Sequence, residues 1–255
     1  MNLFNAYRKM FASLDASETV IWWYCGTVTT VREGVGEIPH TQAETIMAYR
    51  SRDLGPDRFA IDWNEVGCFR DITSGEIMDG WFNPFLGAKE PYPKSFVDGP
   101  ATFTFSRTAG DGLHIDLVQN NARIDGVKVD LAVNPRSIGL VQTETKTRTF
   151  HRPDGSLPAL DSPDATAIET VLSIWSNPAA VADPAQRNVA SHGFYKSGSR
   201  GTGGAGGGGS WASTTVRGTM QKARDDERVN AIAWARLQKL YPAFFKADRI
   251  APAWS

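Results

Sequence analysis

Apolar residues recur along this chain with two periods, and each period predicts a kind of element. Leu3, Phe4, Tyr7, Met10, Phe11 and Leu14 fall at three- and four-residue steps, the stripe of a short amphipathic helix, with Arg8 and Lys9 off the stripe. The period then changes. T-V-I-W-W-Y-C-G-T-V-T, from Thr19 to Thr29, is too β-branched and too short to make a good helix. As a strand it turns Trp22 and Tyr24 to one face, Trp23 and Cys25 to the other. Both faces are bulky and need cover, which places the segment near the centre of a closed or sandwiched sheet.

Period-two alternation continues downstream. A second strand is expected from about Ala43 to Arg50, ahead of the D-L-G-P-D turn at Asp53 to Asp57. Phe59, Ile61 and Trp63 alternate with Ala60, Asp62 and Asn64. D-I-T-S-G at Asp71 to Gly75 reads as a hairpin connection returning through Glu76 to Phe82, and the proline-rich Asn83 to Pro93 as a loop or interrupted edge. Four strands follow around Phe103, Ile115, Val129 and Ile138 to Phe150. In the last, Gln142, Glu144, Lys146 and Arg148 share one face, and Thr143, Thr145, Thr147 and Thr149 the other. Short strands at this spacing predict an antiparallel meander.

Beyond Pro153 the pattern thins. A Pro-, Asp- and Ser-rich connector precedes one more strand, Ala167 to Trp175, with Ile168, Leu172 and Ile174 on one side, and then a short helical turn within Asn177 to Pro184. Gly198 to Ser210 is flexible by composition, and its G-G-G-G-S end reads like an engineered linker. It lacks the G-x-x-x-x-G-K-[ST] or strand–G-x-G-x-x-G–helix setting of a phosphate site. A closing helix is expected from about Asp225 to Tyr241, with Val229, Ile232, Ala233, Leu237 and Leu240 as its stripe and Pro242 as its end. The two terminal helices are expected to plug or cap a barrel mouth. Together these elements predict one mostly β domain over residues 1–255, a calycin-like antiparallel barrel with a helix near each terminus.

Composition narrows the function classes. At 255 residues the chain is long enough for one large barrel. A net charge of −1 with no block of like charge gives no footprint for nucleic acid or an anionic membrane. No apolar run approaches the roughly 20 residues of a membrane-spanning helix, and the N-terminus lacks the order of a signal peptide. Cys25 and Cys68 are read as reduced thiols, and the location as cytoplasmic.

Several motifs carry a family resemblance. The W-W-Y-x-G strand (Trp22 to Gly26), the D-x-x-S/T-G-E turn (Asp71 to Glu76), W-x-N-P-x-x-G (Trp81 to Gly87) and A-W-A-R-L-x-x-L-Y-P (Ala233 to Pro242) resemble the bacterial and fungal family catalogued as domain of unknown function 1838. The likeness covers the chain to about residue 150 and is patchy after it. It implies a single domain and supplies no activity.

Candidate chemistry follows from what is missing and what remains. His40, His114, His151 and His192 show no metal-ligand spacing, so no metal is expected, and no cofactor either. There is no G-x-S-x-G elbow, and both cysteines sit in apolar stretches where thiols are usually inert. Acid–base chemistry inside a barrel remains. His151 continues the threonine face of its strand. If the charged face meets water, the threonines and His151 line a polar lumen; an edge strand with both faces wet explains the same pattern. Asp62 is a candidate base if it points inward and a solvated charge if outward. Tyr24, Trp22 and Trp81 offer aromatic walls with polar handles, and core packing accounts for them too. Tyr49 and Arg50 end their strand where a mouth would place a donor, while Asn83 also suits a turn.

These residues lead to a cofactor-independent lyase or isomerase acting on a small, partly aromatic molecule. His151 or Asp62 would move a proton, Tyr24 would orient an oxygen, and Trp22, Tyr49, Arg50, Trp81 and Asn83 would bind. The alternative is a non-catalytic carrier of small apolar molecules. Two or more titratable groups converging in one pocket mark the enzyme, and an apolar pocket marks the carrier. The expected partner is a small molecule, with a homodimer left open.

Overall fold

A computed structural model describes residues 2–32, 36–83, 88–91, 101–109, 112–118, 122–149, 156–163, 165–201, 212–223 and 230–246. The chain runs α1 (Leu3–Phe11), β1 (Val20–Arg32), β2 (Gly36–Asp53), β3 (Arg58–Arg70), β4 (Gly80–Asn83), β5 (Ala88–Pro91), β6 (Ala101–Arg107), β7 (Leu113–Val118) and β8 (Ala122–Val133). It continues with β9 (Ile138–Arg148), β10 (Thr166–Ser176), α2 (Pro178–Ala182), β11 (Ser191–Gly201), β12 (Ala212–Ala223) and α3 (Ala231–Leu240). Ten of the strands form one antiparallel sheet in the order β7-β6-β3-β2-β1-β12-β11-β10-β9-β8. Its two edges, β7 and β8, are consecutive in the chain and lie against each other, so the sheet curls into a nearly closed barrel. β4 and β5 pair separately.

β1 is the central stave, flanked by β2 and β12. Val20, Trp22, Tyr24 and Val28 face the barrel interior, while Ile21 and Trp23 join an outer cluster. The same division runs through its neighbours. Met47, Tyr49, Phe59 and Ile61 point inward; Ile46, Ala48, Val66 and Cys68 point outward. The inner residues carry a conventional apolar core, each large side chain stabilising the fold by roughly 1.5–3 kcal/mol through removal from water.

α1 plugs one end of the barrel. Phe4, Tyr7 and Phe11 pack on Phe59, Phe105 and Tyr49, and Trp22 donates its indole N–H to the Phe11 carbonyl at 2.8 Å. The barrel wall surrounds the helix, so Arg8 and Lys9, off the apolar stripe, are buried as well. Each has partners that make this tolerable. Arg8 pairs with Asp53 and donates to Ser51 Oγ, and Lys9 donates to the carbonyls of Val181 and Asp183. Lys222 in turn caps the C-terminal end of α1 by donating to the carbonyls of Lys9 and Ala12.

α3 departs from the expected position: it lies on the outer face rather than over a mouth. Leu237 packs with Ile21, Ile46, Val66 and Cys68, and Tyr241 Oη donates to the Gly67 carbonyl at 2.8 Å. Asn230 caps its start, accepting from the amides of Ile232 and Ala233. Ala233 and Leu237 are buried as the stripe predicts, whereas Ile232 and Leu240 are exposed. The glycine-rich stretch also differs from expectation. Gly198 to Gly201 end β11 and pair with Ala212 to Thr215 of β12, while residues 202–211 lie outside the described set.

Candidate active site

Above the α1 plug the barrel encloses a cavity of about 270 Å³. Phe11 forms its floor, and β1, β2, β3, β6, β9, β10, β11 and β12 contribute its walls. Two walls differ in kind. On β2, β3 and β6, Tyr49 stacks on Trp63 with centroids 6.1 Å apart, and Trp63 stacks on Phe103 at 5.8 Å. β9 stands half-way round the strand order from β2 and turns Gln142, Glu144, Lys146 and Arg148 inward. An aromatic ladder therefore faces a charged strand.

β9 fits neither of the two alternatives given above: it is paired on both sides, with β8 and β10, and it is the charged face that turns inward. The charged face lines the cavity, and Thr143 and Thr145 are exposed outside. Gln142, Glu144 and Lys146 are tolerated inside because they satisfy one another. Tyr7 Oη donates to Gln142 Oε1 at 2.7 Å, and Gln142 Nε2 donates to Glu144 Oε2 at 3.0 Å. Lys146 Nζ donates to Glu144 Oε1 at 3.0 Å. Both oxygens of Glu144 are thereby engaged. Burial opposes the charge of Lys146, but Glu144 and Tyr195 together outweigh it and the Lys146 pKa is raised, so the side chain stays an ammonium.

Glu65 is treated differently. It enters from β3, one alternation beyond Trp63, and its carboxylate accepts no hydrogen bond from the described residues. Burial pushes its pKa up to about 7, against the pull of Arg148 and Lys146. Two further polar groups of cavity-lining residues, Tyr24 Oη and Trp63 Nε1, are buried with no hydrogen-bond partner among the described residues. Buried polar groups are normally paired, and the Glu65 carboxyl, which accepts no hydrogen bond from the described residues, is the acceptor this cavity leaves open to a ligand or water.

The position of Tyr24 is dictated locally. Its ring lies over Gly26, where an added Cβ would come within 2.0 Å of the Tyr24 hydroxyl and 2.6 Å of the Arg217 carbonyl. Tyr195 meets Tyr24 edge-on at 5.6 Å. Burial raises the pKa of Tyr24, which keeps it a neutral donor.

Of the residues singled out from the sequence, Tyr24 and Tyr49 line the cavity. Trp22 faces inward but is wholly buried as the anchor of α1 and is not on the cavity wall. Arg50 lies on the outer face and donates to Thr19 Oγ1 at 3.0 and 2.7 Å. Asp62 also faces outward, yet it is neither a lumenal base nor a solvated charge. It is 0% exposed, held by Arg52 at 2.5 Å and by the Thr102 hydroxyl at 2.5 Å. Trp81 and Asn83 belong to β4, with side chains outside the described set, and His151 lies outside the described residues.

The cysteines are free. Cys25 and Cys68 each pair in register with Glu44, from opposite sides of β2. They are therefore two strand spacings apart, roughly 10 Å, beyond the reach of a disulfide. Glu44 is bound by Arg236 and approached by Arg70 at 3.5 Å. Among the described residues no group of three or more His, Cys, Asp or Glu side chains gathers to hold a metal ion.

No family model matches the chain, so the likeness to domain of unknown function 1838 rests on its motifs alone. No curated protein matches it either. Among solved structures the chain is similar to Ail, the attachment invasion locus protein of Yersinia pestis. That likeness has 8% identity and a TM-score of 0.23, over 80% of this chain and 97% of that one, and is too slight to carry an argument. Among the described residues no helix is long and apolar enough to cross a membrane.

Proposed function

We propose that the protein is a cofactor-independent proton-transfer enzyme, a lyase or isomerase, acting on a small, partly aromatic molecule held in the barrel. The observation that carries this reading is the Glu65 carboxyl, which accepts no hydrogen bond from the described residues, in the same cavity as Lys146 and Arg148. A carrier of apolar molecules has no use for buried charges on its inner wall, whereas an acid–base catalyst needs them.

In the proposed reaction Glu65 removes a proton from a carbon next to a carbonyl. The C–H electron pair moves onto the carbonyl oxygen, and Lys146 and Arg148 stabilise the resulting enolate. Protonated Glu65 then returns the proton to another carbon, which isomerises the substrate. Alternatively, a leaving group departs from the β-carbon with the electron pair, which makes the step an elimination. A base with a pKa of about 7 suits both halves of that cycle near neutral pH. The stacked Tyr49, Trp63 and Phe103 hold the substrate flat and keep water from the enolate.

A thermal-shift screen against small aromatic and terpenoid compounds, with turnover assays on each hit, tests the proposal. Glu65→Gln should lower kcat by roughly 10²–10⁴-fold while leaving substrate affinity near wild type. A Glu65→Gln protein that turns over at the wild-type rate overturns it.

A further inference from the structure

We infer that the substrate is an uncharged, enolisable aryl carbonyl compound whose carbonyl oxygen is bound by Tyr195 together with Lys146. The inference rests on the proton-transfer reading, with Glu65 as the base, and adds the oxygen site and the charge of the ligand. Only polar groups that open onto the cavity can meet a ligand. The Tyr24 hydroxyl is sealed, with under 1 Å² of accessible surface. Tyr195 is half-buried, and its hydroxyl is neither sealed nor hydrogen-bonded to a described residue. β9 is paired on both sides, so the 17% of the Lys146 side chain that stays exposed faces the lumen. One of its three ammonium hydrogens goes to Glu144, and no acceptor among the described residues takes the other two. The Glu65 carboxyl is the open acceptor.

The fold holds Tyr195 in place for this. It pairs with Gly218 of β12, which pairs with Gly26 of β1, so at its level the adjoining wall carries no side chain. The Tyr24 ring, folded over Gly26, meets it there edge-on at 5.6 Å. The Tyr195 hydroxyl interacts electrostatically with Tyr24 on β1, Tyr49 on β2 and Lys146 on β9, which sets it in the lumen rather than against one wall. Two donors, one of them a cation, suit an sp² oxygen on which negative charge develops. When Glu65 takes the α-proton, the C–H pair forms the new C=C bond and the carbonyl π pair moves to that oxygen.

Charge then selects among ligands of one shape. The cavity-lining side chains include two carboxylates, Glu65 and Glu144, and two cations, Lys146 and Arg148. With an uncharged substrate they balance before the step. They balance after it too, when the oxygen carries the charge that Glu65 has lost. A carboxylate or an amine would bring a charge with no counterpart into a buried site. The aromatic ladder and a volume of about 270 Å³ favour one or two flat rings.

Calorimetric titration at a pH above the Glu65 value of about 7 tests this. The probes are acetonaphthone, its oxygen-free isostere isopropenylnaphthalene, naphthoate and naphthylethylamine, all substituted at the same ring position. The ketone should bind about tenfold tighter than each of the others. Tyr195→Phe should weaken the ketone about fivefold and leave the isopropenyl compound within about twofold of wild type. Exchange of the ketone's methyl hydrogens in deuterated water reads the proton step. Tyr195→Phe should slow the kcat of that exchange roughly 10²-fold, far more than it moves Kd. Melting curves confirm that the variant is folded, and the infrared carbonyl stretch of the ketone on the wild type reports the oxygen contact without any variant. Equal affinity for ketone and isostere, tighter binding of naphthoate or the amine, binding of none, full ketone affinity in Tyr195→Phe, or a carbonyl stretch unshifted from its value in an apolar solvent overturns the inference. If the oxygen contact is found but exchange is equally fast in Glu65→Gln, the catalytic reading falls and the recognition stands. If exchange needs Glu65 but the oxygen contact is missing, the reverse holds.

Discussion

The outer face of β2 and β3 and the lumen behind it each bury carboxylates, and they treat them in opposite ways. On the outside, Asp62 is 0% exposed yet held by Arg52 and Thr102. Glu44, 3% exposed, is held by Arg236 with Arg70 beside it. Three residues beyond Asp62, Glu65 faces the lumen and accepts no hydrogen bond from the described residues. Pairing, not depth, separates them: an arginine fork makes a buried carboxylate structural, and its absence leaves Glu65 with a pKa near neutrality. The outer face is closed by ion pairs, and the inner one leaves a carboxyl open to the cavity.

Substitution of Asp62 tests this contrast most severely. Asp62→Ala removes the fully buried half of an ion pair and the acceptor that Arg52 and Thr102 share. Stability should fall by on the order of 3–5 kcal/mol, read as a lower urea midpoint. Affinity for a lumenal ligand should be unchanged in the folded fraction. Loss of affinity without loss of stability would place Asp62 in the site after all.

Glu65→Gln should move stability the other way, and only at higher pH. The folded-state pKa of about 7 exceeds the ordinary carboxyl value of 4.5, so the folded protein holds this proton more tightly than the unfolded chain does. The stability associated with that proton is present in full below the unfolded value and is lost as pH rises through the folded one. Above pH 7 the wild type should therefore be less stable than the Gln variant by at most about 3 kcal/mol, a gap that closes on acidification. Urea melts at acidic and alkaline pH measure it. Parallel profiles for the two proteins would show that Glu65 carries no such cost.

Much of the barrel was legible in residue order, and the site was legible only in part. Period two alone divides β1 into a Trp22–Tyr24 face and a Trp23–Cys25 face, but which of them is the inner one is settled only by the fold. The alternation Phe59, Ile61, Trp63 leads directly to Glu65, so the same rule extended by one step reaches the lumenal carboxyl. β9 misled because a charged strand face normally meets water, and the pairing of Glu144 with Gln142 and Lys146 along that face does not say which face the barrel closes over. β11 and β12 were missed because Gly, Ser and Thr dilute their apolar pattern, and with them Tyr195 and Met220 of the cavity wall. Asp62 was ambiguous for a related reason. Its partners Arg52 and Thr102 come from neighbouring strands, and register cannot be read from one strand.

The mildest test acts on the outer face from the other side. α3 is fastened there by Leu237 in the apolar cluster, by Tyr241 on the Gly67 carbonyl and by Arg236 on Glu44. Arg236→Met removes one of these, but Arg70 stays beside Glu44, so no buried charge is left alone. The cost should be about 1 kcal/mol, far below that of Asp62→Ala. Cys68 offers a local reading of the same change. Its thiol is buried in the cluster with Leu237, and burial, reinforced by Glu44, pushes its pKa up to about 11. It should therefore react with thiol reagents only when α3 lifts away. A loss of about 1 kcal/mol in docking corresponds to labelling about fivefold faster, with lumenal ligand affinity unchanged. Faster labelling together with weaker ligand binding would mean that the two faces of the wall are not independent. The distinction between a finished outer face and a functional inner one would then fail at the strand they share.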